Sequence, residues 1–271
     1  MTTATVRPVS GPGAVAVEIL AVTGRRLRHL MRAPTRVMGV ALGPLVSMVM
    51  LGYLFQRSIT LPSGGDYAEY LFAGAAVQVG LAGVGPTAIA VAVDLRSGLI
   101  ARFRTLPMAR SAVLLGHTLA DLVVGIVSLG IVTGVGLLLG WRTHSGLLPT
   151  LAGFGLIAVF VFVMLWVGVL FAMLMSGVES ISATTPFVVI VLPFLSNAFL
   201  APANMPAVIR PIAEWNPVSA VTTLCRRLWG NDATGSGVAA DHAGLVLAVS
   251  LSVILLASST ISLRRFRTAG A

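Results

Sequence analysis

Long apolar runs broken by short polar connectors set the pattern of this chain. The runs lie at about 37–56, 68–93, 111–140, 147–175, 181–200 and 243–263. Each is close to or above the roughly 20 residues that a helix needs to cross hydrocarbon. The pattern therefore predicts an all-α polytopic membrane protein with six transmembrane helices. Runs 111–140 and 147–175 exceed that need, so they must tilt, kink or protrude. The chain divides into an N-terminus (1–36), a membrane domain (37–263) and a tail (264–271).

Three segments outside the runs have patterns of their own. In 14–32, Glu18, Arg25 and Arg32 repeat every seven residues, opposite a stripe of Val17, Leu20, Leu27, Leu30 and Met31. That is an amphipathic helix suited to the headgroup boundary, or a simple basic anchor. In 94–106, Leu95, Leu99, Phe103 and Leu106 share one side of a short helix that Pro107 ends. Such an apolar edge can dock in a groove on a partner, or the segment can serve only as an orienting loop. After the fifth run come Pro202, Pro206, Pro211 and Pro217, which interrupt any long helix. Asn216 followed by Pro217 is a helix start, and Gly230 ends the stretch 217–229. Two short helices on or partly inside the outer face are expected there.

Charge orients the frame. The N-terminus, the 94–110 connector and the tail hold thirteen of the 18 arginines, and the other side holds five. Basic residues near span ends stay cytoplasmic, so both termini and the connector are expected in the cytoplasm. Arg226 and Arg227 fit this worst, since they fall outside or in a segment dipping into the outer leaflet. The net charge of +9 thus reads as orientation, not as nucleic acid binding.

Composition agrees, with 56% hydrophobic and 10% charged residues, against about 25% charged in soluble domains. No Lys occurs in the chain, so the phosphate loop of ATPases, which requires one, is missing in its usual form. If ATP drives this protein, another chain binds it. The single Cys225 excludes an intrachain disulfide. No short cleavable apolar core lies in the first 36 residues, so no signal peptide is expected.

Within the spans, His117 and Asp121 are the ionisable pair to explain. Four residues apart, they share a face. They form a candidate lining or gate of a substrate path, or else a local pair, or groups snorkelling toward an interfacial Arg such as Arg110. Two such groups are too few for a proton relay or a metal site. Gly39/Gly43, Gly130/Gly134 and Gly136/Gly140 are spaced for close helix packing.

These motifs, in this order, resemble the membrane subunit of type-2 ABC exporters, in particular the daunorubicin-resistance-like permeases of actinobacteria. Asp94, Arg96, Gly98, Leu99, Arg102, Arg104 and Pro107 are similar to that family's cytoplasmic motif. Pro202, Asn204, Met205, Pro206, Asn216 and Pro217 resemble its outer motif. The resemblance implies a permease of the bacterial cytoplasmic membrane, not itself an enzyme, working as a dimer with a second copy or a related permease. Two ATP-binding subunits would carry ATP and Mg2+, and the permease would bind no cofactor. The 94–107 helix, with Phe103 on its apolar edge, would couple them to the spans. The substrate would be a hydrophobic or amphipathic small molecule such as a drug or antibiotic, or alternatively a glycolipid or lipid-linked polymer. An ion-coupled transporter acting alone would show more buried charge and internal symmetry. A membrane enzyme would show a clustered site.

Overall fold

The computed structural model describes residues 23–24, 34–55, 66–96, 110–231 and 238–268, and every described element is helical. The helices are α1 (Pro34–Phe55), α2 (Tyr67–Ala82), α3 (Val84–Arg96), α4 (Arg110–Leu138) and α5 (Leu147–Leu174). Then come α6 (Val178–Pro186), a π-helical turn (Phe187–Val191), α7 (Leu192–Phe194), α8 (Arg210–Trp215), α9 (Pro217–Trp229), α10 (Val238–Asp241) and α11 (Ala243–Thr268). Five stretches are long and apolar enough to cross a membrane: α1, α2–α3 together, α4, α5 and α11. The fifth apolar run forms the shorter helix Val178–Phe194.

Two runs differ from their expected form. The run expected at 68–93 is two helices joined at Gly83, where the local hydrogen bonding shifts. The run expected at 181–200 stops at Phe194 and gives way to a turn over 195–199. Pro186 and Pro193 explain the second case, because each removes a backbone donor and crowds the preceding turn. The π-helical turn between them absorbs the misfit.

Helix α2 is the centre of the bundle. Of its 16 residues, 14 are buried, and α1, α4, α5 and α9 all pack on it. Its sequence, YAEYLFAGAAVQVGLA, is rich in small residues that let neighbours approach. At Gly74 an added Cβ would lie 2.1 Å from the Ala198 carbonyl oxygen, and at Gly80 it would lie 2.8 Å from Phe160. The glycine pairs expected to do this work behave otherwise. Gly39, Gly43, Gly130 and Gly134 meet open space, while Gly136 does pack under Phe72. By contrast α1 and α11 turn broad apolar faces outward, including Leu42, Val46, Met50, Leu245, Val249 and Leu256.

One end of the bundle, the connector end, gathers the last turns of α3 and α5 and the first turns of α4 and α6. The other, the cap end, gathers the starts of α2 and α5, the loop 139–146 and the short helices α8 to α10. An aromatic cluster closes the cap end. Phe72 stacks on Trp141 at 3.9 Å, and Trp229 lies 5.2 Å from Phe72, Trp141 and Phe154.

Candidate functional site

The polar groups of the spans converge near the connector end. Asp121 lies 11 residues into α4, about 16 Å along the helix at 1.5 Å per residue. A bare carboxylate at that depth would be costly. Two groups from other helices compensate it: Thr87 Oγ1 of α3 donates to Asp121 Oδ2 at 2.7 Å, and Arg36 Nη2 of α1 donates to the same oxygen at 3.2 Å. Arg36 also donates to the Pro86 carbonyl at 3.2 Å. One guanidinium therefore joins α1, α3 and α4, with 4% of the Asp121 side chain left exposed. A narrow cleft beside it is lined by Arg36, Val40, Gly83, Pro86, Thr87 and Asp121.

One turn away, His117 Nε2 lies 3.1 Å from Asp94 Oδ2. His117 and Asp121 thus share a face of α4 and reach groups on neighbouring helices. Each is tied to a group on another helix, His117 to Asp94 and Asp121 to Thr87 and Arg36. Arg96 closes the arrangement. Its Nη2 donates to the Ser176 carbonyl just past α5, where orphan carbonyls of a helix end accept a cation well. Thr23 Oγ1 of the N-terminal segment donates to the Gly116 carbonyl of α4 at 3.4 Å.

Asp94 and Arg96 are thus placed at the root of the connector. Gly98, Leu99, Arg102, Phe103, Arg104 and Pro107 lie outside the described residues, as does the 14–32 helix apart from Thr23 and Gly24.

At the cap end, Asn216 and Pro217 start α9 as their types dictate. Asn216 Oδ1 accepts from the Val218 amide at 2.9 Å, and its Nδ2 donates to the Leu192 and Leu195 carbonyls at 3.1 and 2.8 Å. Gly230, at φ +70°, ends the helix in the left-handed region. Pro202 and Asn204 form a single 3-10 turn; Pro202 and Met205 are buried, whereas Asn204 and Pro206 face outward. Asn216 thus joins α9 to the end of α7, while Pro202 and Pro206 lie against the start of α8 through Arg210.

The residue that charge counting places worst turns out to be the most enclosed. Arg226 of α9 is fully buried, and Arg227 beside it is exposed. The Arg226 guanidinium donates to the carbonyls of Tyr70, Asn197 and Ala198 at 2.8 to 3.3 Å and lies 3.4 Å from the centre of the Tyr70 ring. Burial pulls it below the usual arginine range, against the opposing effect of Tyr70. Carbonyl oxygens and a ring face solvate this charge, and among the described residues no carboxylate hydrogen-bonds to it. Arg36 and Thr87 are thus the partners that sequence patterning does not name. For Arg36 the available signal is the buried Asp121, which demands a donor.

This geometry defines a helical integral membrane protein whose buried charges tie its helices to one another and α9 to the 195–199 turn. Among the described residues no group of three or more His, Cys, Asp or Glu could hold a metal ion. The sequence model of the ABC-2 type transporter matches residues 17–227, and the chain belongs to that family of membrane permeases. It is 31% identical over 252 residues to the daunorubicin resistance ABC transporter permease protein DrrB1 of Streptomyces coeruleorubidus, covering 90% of this chain and 87% of that one. It is 25% identical over 257 residues to the "Probable doxorubicin resistance ABC transporter permease protein DrrC" of Mycobacterium tuberculosis (strain CDC 1551 / Oshkosh), covering 91% and 88%. The same figures hold for DrrC of strain ATCC 25618 / H37Rv.

Proposed function

We propose that this chain is the export permease of an ATP-driven transporter for hydrophobic or amphipathic small molecules of the drug or antibiotic kind. It works as a dimer of permeases with two separate ATP-binding subunits, which hold ATP and Mg2+. It resides in the bacterial cytoplasmic membrane with both termini and the connector in the cytoplasm. The relatives named for daunorubicin and doxorubicin resistance support the substrate class. The absence of Lys supports a separate ATPase.

The observation that carries the coupling role is how the connector root is held. Asp94 is bound to His117 of α4, and Arg96 to the backbone just beyond α5. A displacement of the connector by a partner therefore pulls on two spans at once. The Arg36–Asp121–Thr87 junction lies directly above and passes the movement to α1. We assign Leu99 and Phe103 the docking role and Arg102 and Arg104 the role of orienting the connector at the headgroups.

Inverted membrane vesicles containing this chain and its ATP-binding subunit test the proposal, with daunorubicin as probe. ATP-dependent accumulation is expected. Phe103→Ala should reduce co-purification of the ATPase. His117→Phe should preserve co-purification but lower accumulation about tenfold, as the loss of a coupling energy of 1–3 kcal/mol implies. Parent-like transport by both variants would refute the coupling role. No accumulation by the parent would refute the substrate class.

A further inference from the structure

From Leu71 to Ala82 of the central helix, Gln78 is the one residue with a polar side chain, and it is buried. Its Nε2 donates to the Val189 carbonyl at 3.2 Å, within the π-helical turn Phe187–Val191 of the fifth apolar run. That carbonyl needs a donor from outside its own helix. In an α-helix the carbonyl of one residue accepts from the amide four positions on. For Val189 that position is Pro193, which has no N–H. Within a bilayer no water makes up the loss. Gln78 supplies across the helix interface the hydrogen that Pro193 lacks. Its Oε1 has no hydrogen-bond partner among the described residues, so the donor end alone fixes the side chain.

The π-helical turn lies between two pinned ends. Toward the connector end, Gly85 of α3 fits against α6, where an added Cβ would lie 2.5 Å from the Thr185 methyl group. Toward the cap end, the Leu192 and Leu195 carbonyls accept from Asn216 at the start of α9. Between these points no residue of the turn is buried, and Phe187 and Ile190 face outward. A π-bulge beside a proline is where a helix bends. We infer that Gln78 is a positioning residue that keeps this bend available to the transport cycle. By satisfying Val189 from α2, it lets the connector half of the fifth run tilt with α3 while the cap half stays with α9. The inference rests on the export reading above, in which a partner displaces the connector root on α3. Thr185 then follows Gly85, and the bend takes up the difference. A run with its own amide at position 193 would be a stiffer rod, unable to move at one end without the other.

Three variants test this. Gln78→Met keeps the side-chain length and removes the donor, Pro193→Ala restores the missing amide, and the third combines them. Thermal unfolding and amide hydrogen exchange over 184–195 are measured on the purified chain in lipid nanodiscs. Daunorubicin accumulation is measured in inverted vesicles that also hold the ATP-binding subunit. Gln78→Met should lower the unfolding temperature, and the double variant should regain the value of Pro193→Ala, because Val189 again has a donor. If Gln78→Met does not fold, folding of the double variant gives the same answer. Pro193→Ala should slow exchange in the run about tenfold. It should also lower accumulation about fivefold, the low end of a coupling effect, with co-purification of the ATPase unchanged. The double variant should stay equally poor in accumulation, so stability returns without transport. A double variant as unstable as Gln78→Met would show that Gln78 does not replace the amide of position 193. Parent-like accumulation by Pro193→Ala would show that the bend is not used. Either result overturns the inference. A parent without accumulation counts against the export reading instead, and the purified chain then decides: unchanged exchange in Pro193→Ala overturns the bend.

Discussion

Arg226 is a charge that, among the described residues, is kept inside protein by carbonyl oxygens and not by an acid. Its planar fork reaches three carbonyls from two separate segments, which a lysine ammonium cannot match. Arg226→Lys should therefore destabilise the chain by roughly 2–4 kcal/mol, since hydrogen bonds to a charged group contribute about 1.5–3 kcal/mol each. Thermal unfolding in detergent measures this, and a Lys variant as stable as the parent would show that the carbonyl cage contributes little. Single residues were the least legible part of the sequence. His117 and Asp121 stood out because ionisable groups inside apolar runs are rare, but their partners lie 85 positions away at Arg36, 34 at Thr87 and on a different span at Asp94. No spacing rule reaches that far. Counting assigns Arg226 only to a side of the membrane and cannot foresee a cage of backbone oxygens.

At the scale of elements, four of the six apolar runs became single helices close to their expected bounds. The run expected at 37–56 is Pro34–Phe55, and that expected at 147–175 is Leu147–Leu174. The start at Asn216–Pro217 and the end at Gly230 were readable because capping chemistry is local. The glycines were not, because spacing says that a helix can be approached, not that it is. Gly74 is where approach occurs, with the backbone of Ala198 against it. A methyl group there has no flexible side chain to displace, so Gly74→Ala must push α2 away from the 195–199 turn. The expected loss is about 1–3 kcal/mol, the usual range for overpacking, together with weakened holding of Arg226 by Asn197 and Ala198. Gly39→Ala, facing open space, should leave stability within about 0.5 kcal/mol of the parent. The two variants compared by thermal unfolding check the distinction; equal stability would remove Gly74 as a packing point.

For the molecule as a whole, orientation is the property most open to direct measurement. In a Cys225→Ser background, Ser97→Cys should react with a membrane-impermeant maleimide only after the cells are opened, and Asn204→Cys should react in intact cells. Reversal of that pattern would invert the topology. Cys225 itself should stay silent in the folded chain, since it is buried and burial pushes its thiol up to about 12, leaving little thiolate at neutral pH. The central place of α2 also bears on how the protein is made. It is the second apolar run to leave the ribosome, yet two of the helices that enclose it, α5 and α9, are synthesised much later. Until they arrive, a segment rich in Ala and Gly, bearing Glu69 and Gln78, must wait in the bilayer with lipid where protein belongs. A chain cut short before residue 147 would keep it in that state permanently, and would present to the cell's quality control a half-dressed helix with no partner to come.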